Sequence, residues 1–416
     1  NSGGTSVLAA GRTISVGATG YTGGLLYLAN FTMTGTMPQV LNLGSAVTYA
    51  QLAGFNGGGN LTVTAGSILL NGGTVSGNAT YAQIGNVDSW SQGNCVFNGD
   101  LELVNNSTSI FGPCDTGADA YNGNIRVSNT STGQIRFGNS GGVGTLAAGR
   151  TLTVGNGGFN NGLFLLDNFV QAGATPQAWT LGANAIQYIR SGCSFSGALD
   201  ITAGGFIVDG STFNGNTRFT KTGTSTDTSP GGNVFQADLD LVNNLAGGLY
   251  FANNAADTYN GNVRVSNLST GEMRFGNGGG GGTLASGRTI AVGTGGFNAG
   301  ILLLRGINQL GTAPQSLSMG TSAILYFHPG TTFNGDVVAT SGRMYFYGST
   351  FNGAGTFTKT GVNTDNSQGG CVFQATTEFT NMSTGSLFLA DNGYDTYNGD
   401  LRVNSLSTGQ IRFGNS

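Results

Sequence analysis

Charged side chains are scarce in this sequence, and a few of them recur at a fixed interval. Glu102, Asp240 and Glu378 each precede an arginine, Arg126, Arg264 and Arg402, always at the same distance along the chain. Both members of each pair lie between two apolar residues, as in Leu101-Glu102-Leu103 and Ile125-Arg126-Val127. In a structure that coils once in that interval they become outward-facing neighbours. The expected chemistry is a cross-coil ion pair, in preference to a ligand-binding stripe. A second recurrent set, Asp119, Asp257 and Asp395, stands shortly before a Tyr-Asn-Gly phrase. Hard cations need several loop oxygens, so calcium is weighed here, above all where Asp391, Asp395 and Asp400 crowd together. An Asx-turn closed through the local backbone is favoured instead, and no cofactor is expected.

Catalytic groups are sparse. The one histidine, His328, has no histidine counterpart elsewhere and reads as a solvated turn residue. Ser-His-Asp, HExxH and phosphate-loop patterns are missing. Polysaccharide lyases and hydrolases need carboxylates, alone or with basic groups, converging from adjacent coils, and 19 acidic residues spread over some eighteen coils make that cluster improbable. Trp90, unrepeated, reads as incidental rather than as a sugar platform. Cys95, Cys114, Cys193 and Cys371 fit no zinc pattern and do not repeat, so buried free thiols are expected rather than a Cys95–Cys114 bridge.

The elements that position these residues follow from self-similarity. YNGNIRVSNTSTGQIRFGN begins at Tyr121, YNGNVRVSNLSTGEMRFGN at Tyr259 and YNGDLRVNSLSTGQIRFGN at Tyr397, evenly spaced. Gly-Arg-Thr at Gly11, Gly149 and Gly287, and Pro-Gln at Pro38, Pro176 and Pro314, keep the same interval. Three repeats of equal length result: 1–138, 139–276 and 277–414. Inside each, an aromatic or apolar residue followed by Asn or Ser and then Gly recurs near Gly57, Val75, Phe97, Tyr121, Leu146, about position 177, and Phe195. These beats divide the repeat into six coils, the fifth the longest and the sixth as short as the first.

Within a coil the period is two. Leu61-Thr62-Val63-Thr64-Ala65 and Leu199-Asp200-Ile201-Thr202-Ala203 alternate apolar and polar residues, as strands with one buried face do. Glycine and asparagine at the beat are expected to supply the positive-φ corners. Strands repeating in one order cannot close as hairpins, so each pairs in parallel with its counterpart one coil on. The fold class is therefore all-β, a parallel β-solenoid. Leu61, Ala79, Leu101, Ile125 and Leu152 fall in one column, and Val63, Tyr81, Leu103, Val127 and Val154 in the next. Six coils at ~4.8 Å make ~29 Å per repeat and ~85 Å for the three together.

Composition narrows the function classes. Gly supplies 76 residues and charged residues only 8%, too few charges to keep a chain expanded, while 38% hydrophobic residues suffice for a narrow core. A net charge of −4 with only two lysines, Lys221 and Lys359, offers no basic stripe for phosphates, so nucleic acid is not an expected partner. Crossing a bilayer as a helix takes an apolar run of roughly 20 residues. No run here approaches that length, and no membrane insertion of this segment is expected.

The Phe/Tyr-Asn-Gly-Asp/Asn-hydrophobic-x-Val phrases, with their Ser-Thr-Gly and Arg-Phe-Gly-Asn tails, resemble the repeat regions of very large surface proteins of gliding and predatory Bacteroidota. The resemblance runs through the whole chain and is one of style; it carries over no catalytic residue. It implies a type IX-secreted adhesin or filament, including the hook-bearing filaments that catch other cells, whose sorting domain lies outside this sequence. The expected function is a structural shaft segment of an extracellular filament or large cell-surface adhesin, working mechanically in attachment or in prey and surface capture. It is expected to be non-enzymatic and to form a homo-oligomer along the rod axis. A glycan-binding repeat module and, third, a polysaccharide-active β-helix enzyme are the alternatives.

Overall fold

The computed structural model describes residues 4–414 and is all-β, a parallel β-solenoid of about 18 turns spaced roughly 23 residues apart. The chain falls into two compact units, one ending at Gly204 and the other beginning at Gly205, a division inside the second repeat. No helix among the described residues is long and apolar enough to cross a membrane.

In the first unit each coil contributes up to three short strands, one to each of three faces. One face carries Gly93–Phe97, Ala118–Tyr121, Val143–Leu146 and Phe169–Gln171. The second carries Leu61–Ala65, Ala79–Gln83, Leu101–Asn105 and Ile125–Asn129. The third carries Ile110–Gly112, Gln134–Phe137, Asn161–Leu166 and Asn184–Ile189. All neighbours pair in parallel, and the register Leu61↔Ala79↔Leu101↔Ile125↔Leu152 is the column read from the alternation. Its members are at most 2% exposed, so the apolar side of each strand is the core. The second unit is built the same way, with Val263–Asn267 and Leu401–Ser405 at the places of Ile125–Asn129.

The coil lengths differ from expectation at one point. Leu146 pairs with Gln171 and Gln171 with Phe195, so the last two coils are nearly equal, not one long and one short. A glutamine occupies a column that, Gly57 apart, is elsewhere apolar. Gln171 and its counterpart Gln309 are buried, and Gln309 is satisfied by donating to the Ala313 carbonyl at 2.6 Å and accepting from the backbone of Asn334 and Gly335. The six-coil count stands.

The Pro-Gln and Gly-Arg-Thr phrases turn out to be two halves of one clasp. The Gln177 amide accepts the Leu152 N–H at 2.7 Å and donates to the Arg150 carbonyl at 2.9 Å. Gln315 repeats both bonds with Ile290 and Arg288, and Gln39 with Ile14 and Arg12.

The beat glycines also need a different explanation. Gly123, in Tyr-Asn-Gly, has no positive φ; a Cβ there would sit 2.1 Å from the Gly99 carbonyl oxygen one coil back. The positive-φ requirement falls on other recurrent glycines, among them Gly149 (φ 79°), which has open space around it.

Candidate functional site

The strand register sets Glu102 opposite Arg126, Asp240 opposite Arg264 and Glu378 opposite Arg402. Among the described residues no salt bridge joins Glu102 to Arg126 or Glu378 to Arg402. Arg126 reaches Asp100 (3.2 Å) and Arg264 reaches Asp238 (2.7 Å), each partner lying just before the register mate in sequence. A long guanidinium stem spans the diagonal between strands, and Asp100 and Asp238 are already fixed there by the backbone N–H of Asn124 and Asn262, both at 2.9 Å. Burial works against the Asp238 charge, but the Asn262 and Arg264 donors outweigh it and hold its carboxyl below the usual carboxylate value. In the third repeat Thr376 replaces this aspartate; Arg402 makes no ion pair among the described residues, and Glu378 instead accepts from the Asn404 side chain at 2.8 Å. Asp240 bonds backward to Arg218 at 3.6 Å. These are exposed pairs, worth under about 1 kcal/mol each.

Asp119 and Asp257 are not turn residues closing on their own backbone. Both are buried in the core and clamp the preceding coil: Asp119 accepts the Cys95 N–H (2.8 Å) and Asp257 the Asn233 N–H (2.8 Å). Each also accepts the hydroxyl of the tyrosine that follows it, Tyr121 (3.0 Å) and Tyr259 (3.1 Å). Asp395 repeats the pattern with Cys371 and Tyr397. Burial with no cation beside them pushes the Asp119 and Asp257 carboxyls up to about 7. Asp391, Asp395 and Asp400 do not converge as a calcium site would: among the described residues no group of three His, Cys, Asp or Glu side chains could hold a metal ion.

The four cysteines are free and buried. Burial raises the Cys114 and Cys371 thiols to about 12, so they pack as small apolar groups.

Sequence reasoning missed the interior ion pairs. Lys221 and Lys359 are fully buried, bonded to Asp227 (2.8 Å) and Asp365 (2.9 Å). Their place in the first repeat is taken by a neutral pair, Gln83 and Ser89, whose side chains hydrogen-bond to one another. The carboxylate and the hydroxyl do the same backbone work: Asp227, Asp365 and Ser89 accept the N–H of Phe206, Met344 and Ile68. The signal was present, because Lys221 occupies an inward position in Thr217-Arg218-Phe219-Thr220-Lys221.

Also missed was an arginine–aromatic pattern on the third face. The arginine of each Arg-Phe-Gly-Asn tail lies over a ring from an earlier coil: Arg136 over Trp90 (5.6 Å), Arg274 over Tyr250 (4.9 Å) and Arg412 over Phe388 (4.8 Å). Trp90 is thus half-buried under a cation. In the third repeat the pattern thickens. Tyr326 and Tyr345 stack at 4.4 Å, nearly parallel, and His328 packs against Tyr326 (5.9 Å) and Tyr347 (5.5 Å) rather than standing in solvent. Burial, then Arg305 and Arg274, lower the His328 pKa and keep the ring neutral at physiological pH.

The fold and these contacts define the class: a tandem-repeat parallel β-solenoid with a polar ladder inside and an arginine–aromatic face outside. No family model, curated protein or solved structure matches the chain.

Proposed function

We propose that the chain is a structural shaft segment of an extracellular filament or large cell-surface adhesin, transmitting force in attachment or capture. One observation carries this. Within each unit every coil is joined to the next by parallel backbone hydrogen bonds in register, with apolar columns and buried polar side chains stacked behind them. Contacts of that kind are between neighbours only, so the same unit can be added without redesign, as a spacer requires. The Bacteroidota-like phrases support a surface location. The weakly charged Thr-, Ser- and Asn-rich outer faces support parallel self-association, which light scattering on the intact chain tests; monomers alone would count against it.

Electron microscopy of the purified protein, and of versions carrying additional copies of the repeat, tests the shaft itself. The expected images are thin rods that lengthen by ~29 Å per added repeat, six coils at ~4.8 Å each. Compact particles whose diameter grows in all directions would overturn the proposal.

A further inference from the structure

On the third face of the second unit, a depression of about 220 Å³ opens where the aromatic ladder is interrupted between Tyr345 and Phe388. Its walls are Tyr326, His328, Tyr345 and Tyr347, and its floor on the next coil is Asn366 and Gln368. Two short amides follow two large rings, so the solenoid surface steps down there. Tyr345 is held in place from both directions, by the stacked ring of Tyr326 and by Arg343, which contacts its hydroxyl and is itself anchored to Asp365 at 2.9 Å. Asn366 and Gln368 are exposed, and their side-chain amides make no hydrogen bond among the described residues. The cleft therefore pairs a rigid aromatic wall with free donors and acceptors.

The pattern occurs once. In the second repeat the positions of Tyr345, Tyr347, Asn366 and Gln368 hold Ile207, Asp209, Thr228 and Pro230, and the solenoid continues there all the same. Coil stacking consequently does not demand these residues.

We propose that this cleft binds a neutral hexopyranosyl unit of a glycan. A pyranose has one face of C–H groups and a rim of hydroxyls. The C–H face is drawn to the electron-rich face of a tyrosine, and the rim matches carboxamides that both donate and accept. The volume, about 220 Å³, is smaller than the clefts that take drug-sized ligands and suits a single sugar ring. With His328 neutral the lining side chains carry no formal charge, and the Arg343 guanidinium over the Tyr345 ring is paired with Asp365, so a uronic or sialic carboxylate would shed its hydration with no lining cation to receive it. The inference stands independently of the shaft reading, since a monomeric globule could carry the same cleft.

Saturation-transfer NMR on the intact chain tests it, with methyl β-D-glucopyranoside, methyl β-D-galactopyranoside and the methyl glycoside of glucuronic acid as probes. Transfer is expected to at least one neutral glycoside, strongest at its axial ring protons, and weak to the glucuronide. Asn366→Ala/Gln368→Ala removes only exposed, unbonded amides, so the fold is retained, and the signal should fall at least fivefold. Tyr345→Ala should abolish it and Tyr345→Phe keep it. No transfer to either neutral glycoside, an undiminished signal in the double amide variant, or a stronger signal from the glucuronide would each overturn the proposal.

Discussion

At the scale of single residues, the interior records two solutions to one problem. A buried lysine and aspartate in the second and third repeats do what glutamine and serine do in the first. Removing one partner of a buried pair strands a desolvated charge, whereas removing both together leaves none. Lys221→Gln is therefore expected to cost about 3–5 kcal/mol, and Lys221→Gln/Asp227→Ser to recover most of it, to within about 1–2 kcal/mol of the parent. Denaturant unfolding of the three chains checks this; a double variant as unstable as the single one would show that the first repeat's solution does not transfer. The clamp aspartates give a second expectation. Their folded pKa of about 7 lies above the usual 3.8, so the folded chain holds the proton more tightly than the unfolded one. Their contribution is complete in acid and is lost as pH rises from about 4 to about 7, so stability falls across that window, by up to about 2 kcal/mol per carboxyl between pH 5 and 7. Thermal midpoints measured from pH 5 to 8 should decline for the parent and flatten for Asp119→Asn/Asp257→Asn, in which the amide oxygen still accepts the backbone N–H. An equal slope in both would refute the assignment. These residues were hard to read because recurrence reveals that a position is constrained but not from which side. Lys221 could be placed by its inward parity, whereas Asp119 and Asp257 sit in four-residue strands, too short for alternation to fix the buried side, where a carboxylate suggested a turn.

At the scale of the coil, alternation and column matching located the strands Leu61–Ala65, Leu101–Asn105, Ile125–Asn129 and Leu199–Ala203. That success has a plain cause: in a parallel stack each side chain lies over its counterpart, so a single wrong coil length turns an apolar column polar. Gln171 escaped because the rule assumes an apolar side chain at every inward position, and here a glutamine turns aside to satisfy a loop. The diagonal Arg126–Asp100 contact escaped because register fixes the positions of Cα atoms and not the reach of a long side chain. Recurrent glycines were legible as constraints but ambiguous in kind, and substitution separates the two kinds. Gly149→Ala meets only the left-handed backbone, at about 1 kcal/mol. Gly123→Ala drives a methyl into the Gly99 carbonyl and must separate two coils, breaking their ladder on both sides, so a loss above about 3 kcal/mol is expected. Equal losses in thermal unfolding would mean that the close approach of the coils is not what keeps Gly123 small.

At the scale of the whole molecule, stability should behave as a sum over neighbours. The column that is closed at Val263 and Val265, both 0% exposed, is open at the corresponding Leu401 and Val403, which are 38% and 46% exposed. Those two side chains have a coil on one side only. A following coil would cover them, and burying the exposed part of each contributes on the order of 1 kcal/mol, with the backbone ladder of Leu401–Ser405 gaining its second partner as well. Appending one further repeat after residue 414 is therefore expected to raise the denaturant midpoint, and to raise the m-value if the added coils unfold with the old ones. Hydrogen exchange should show protection at Leu401–Ser405 rising towards that at Val263–Asn267. The same comparison separates a nearest-neighbour stack from a set of independent domains. A domain with its own core gains nothing from a copy placed beside it, so an unchanged midpoint, with unchanged exchange at Leu401–Ser405, would show that the repeats are stabilised internally and that coil-to-coil contact is not what holds the array together.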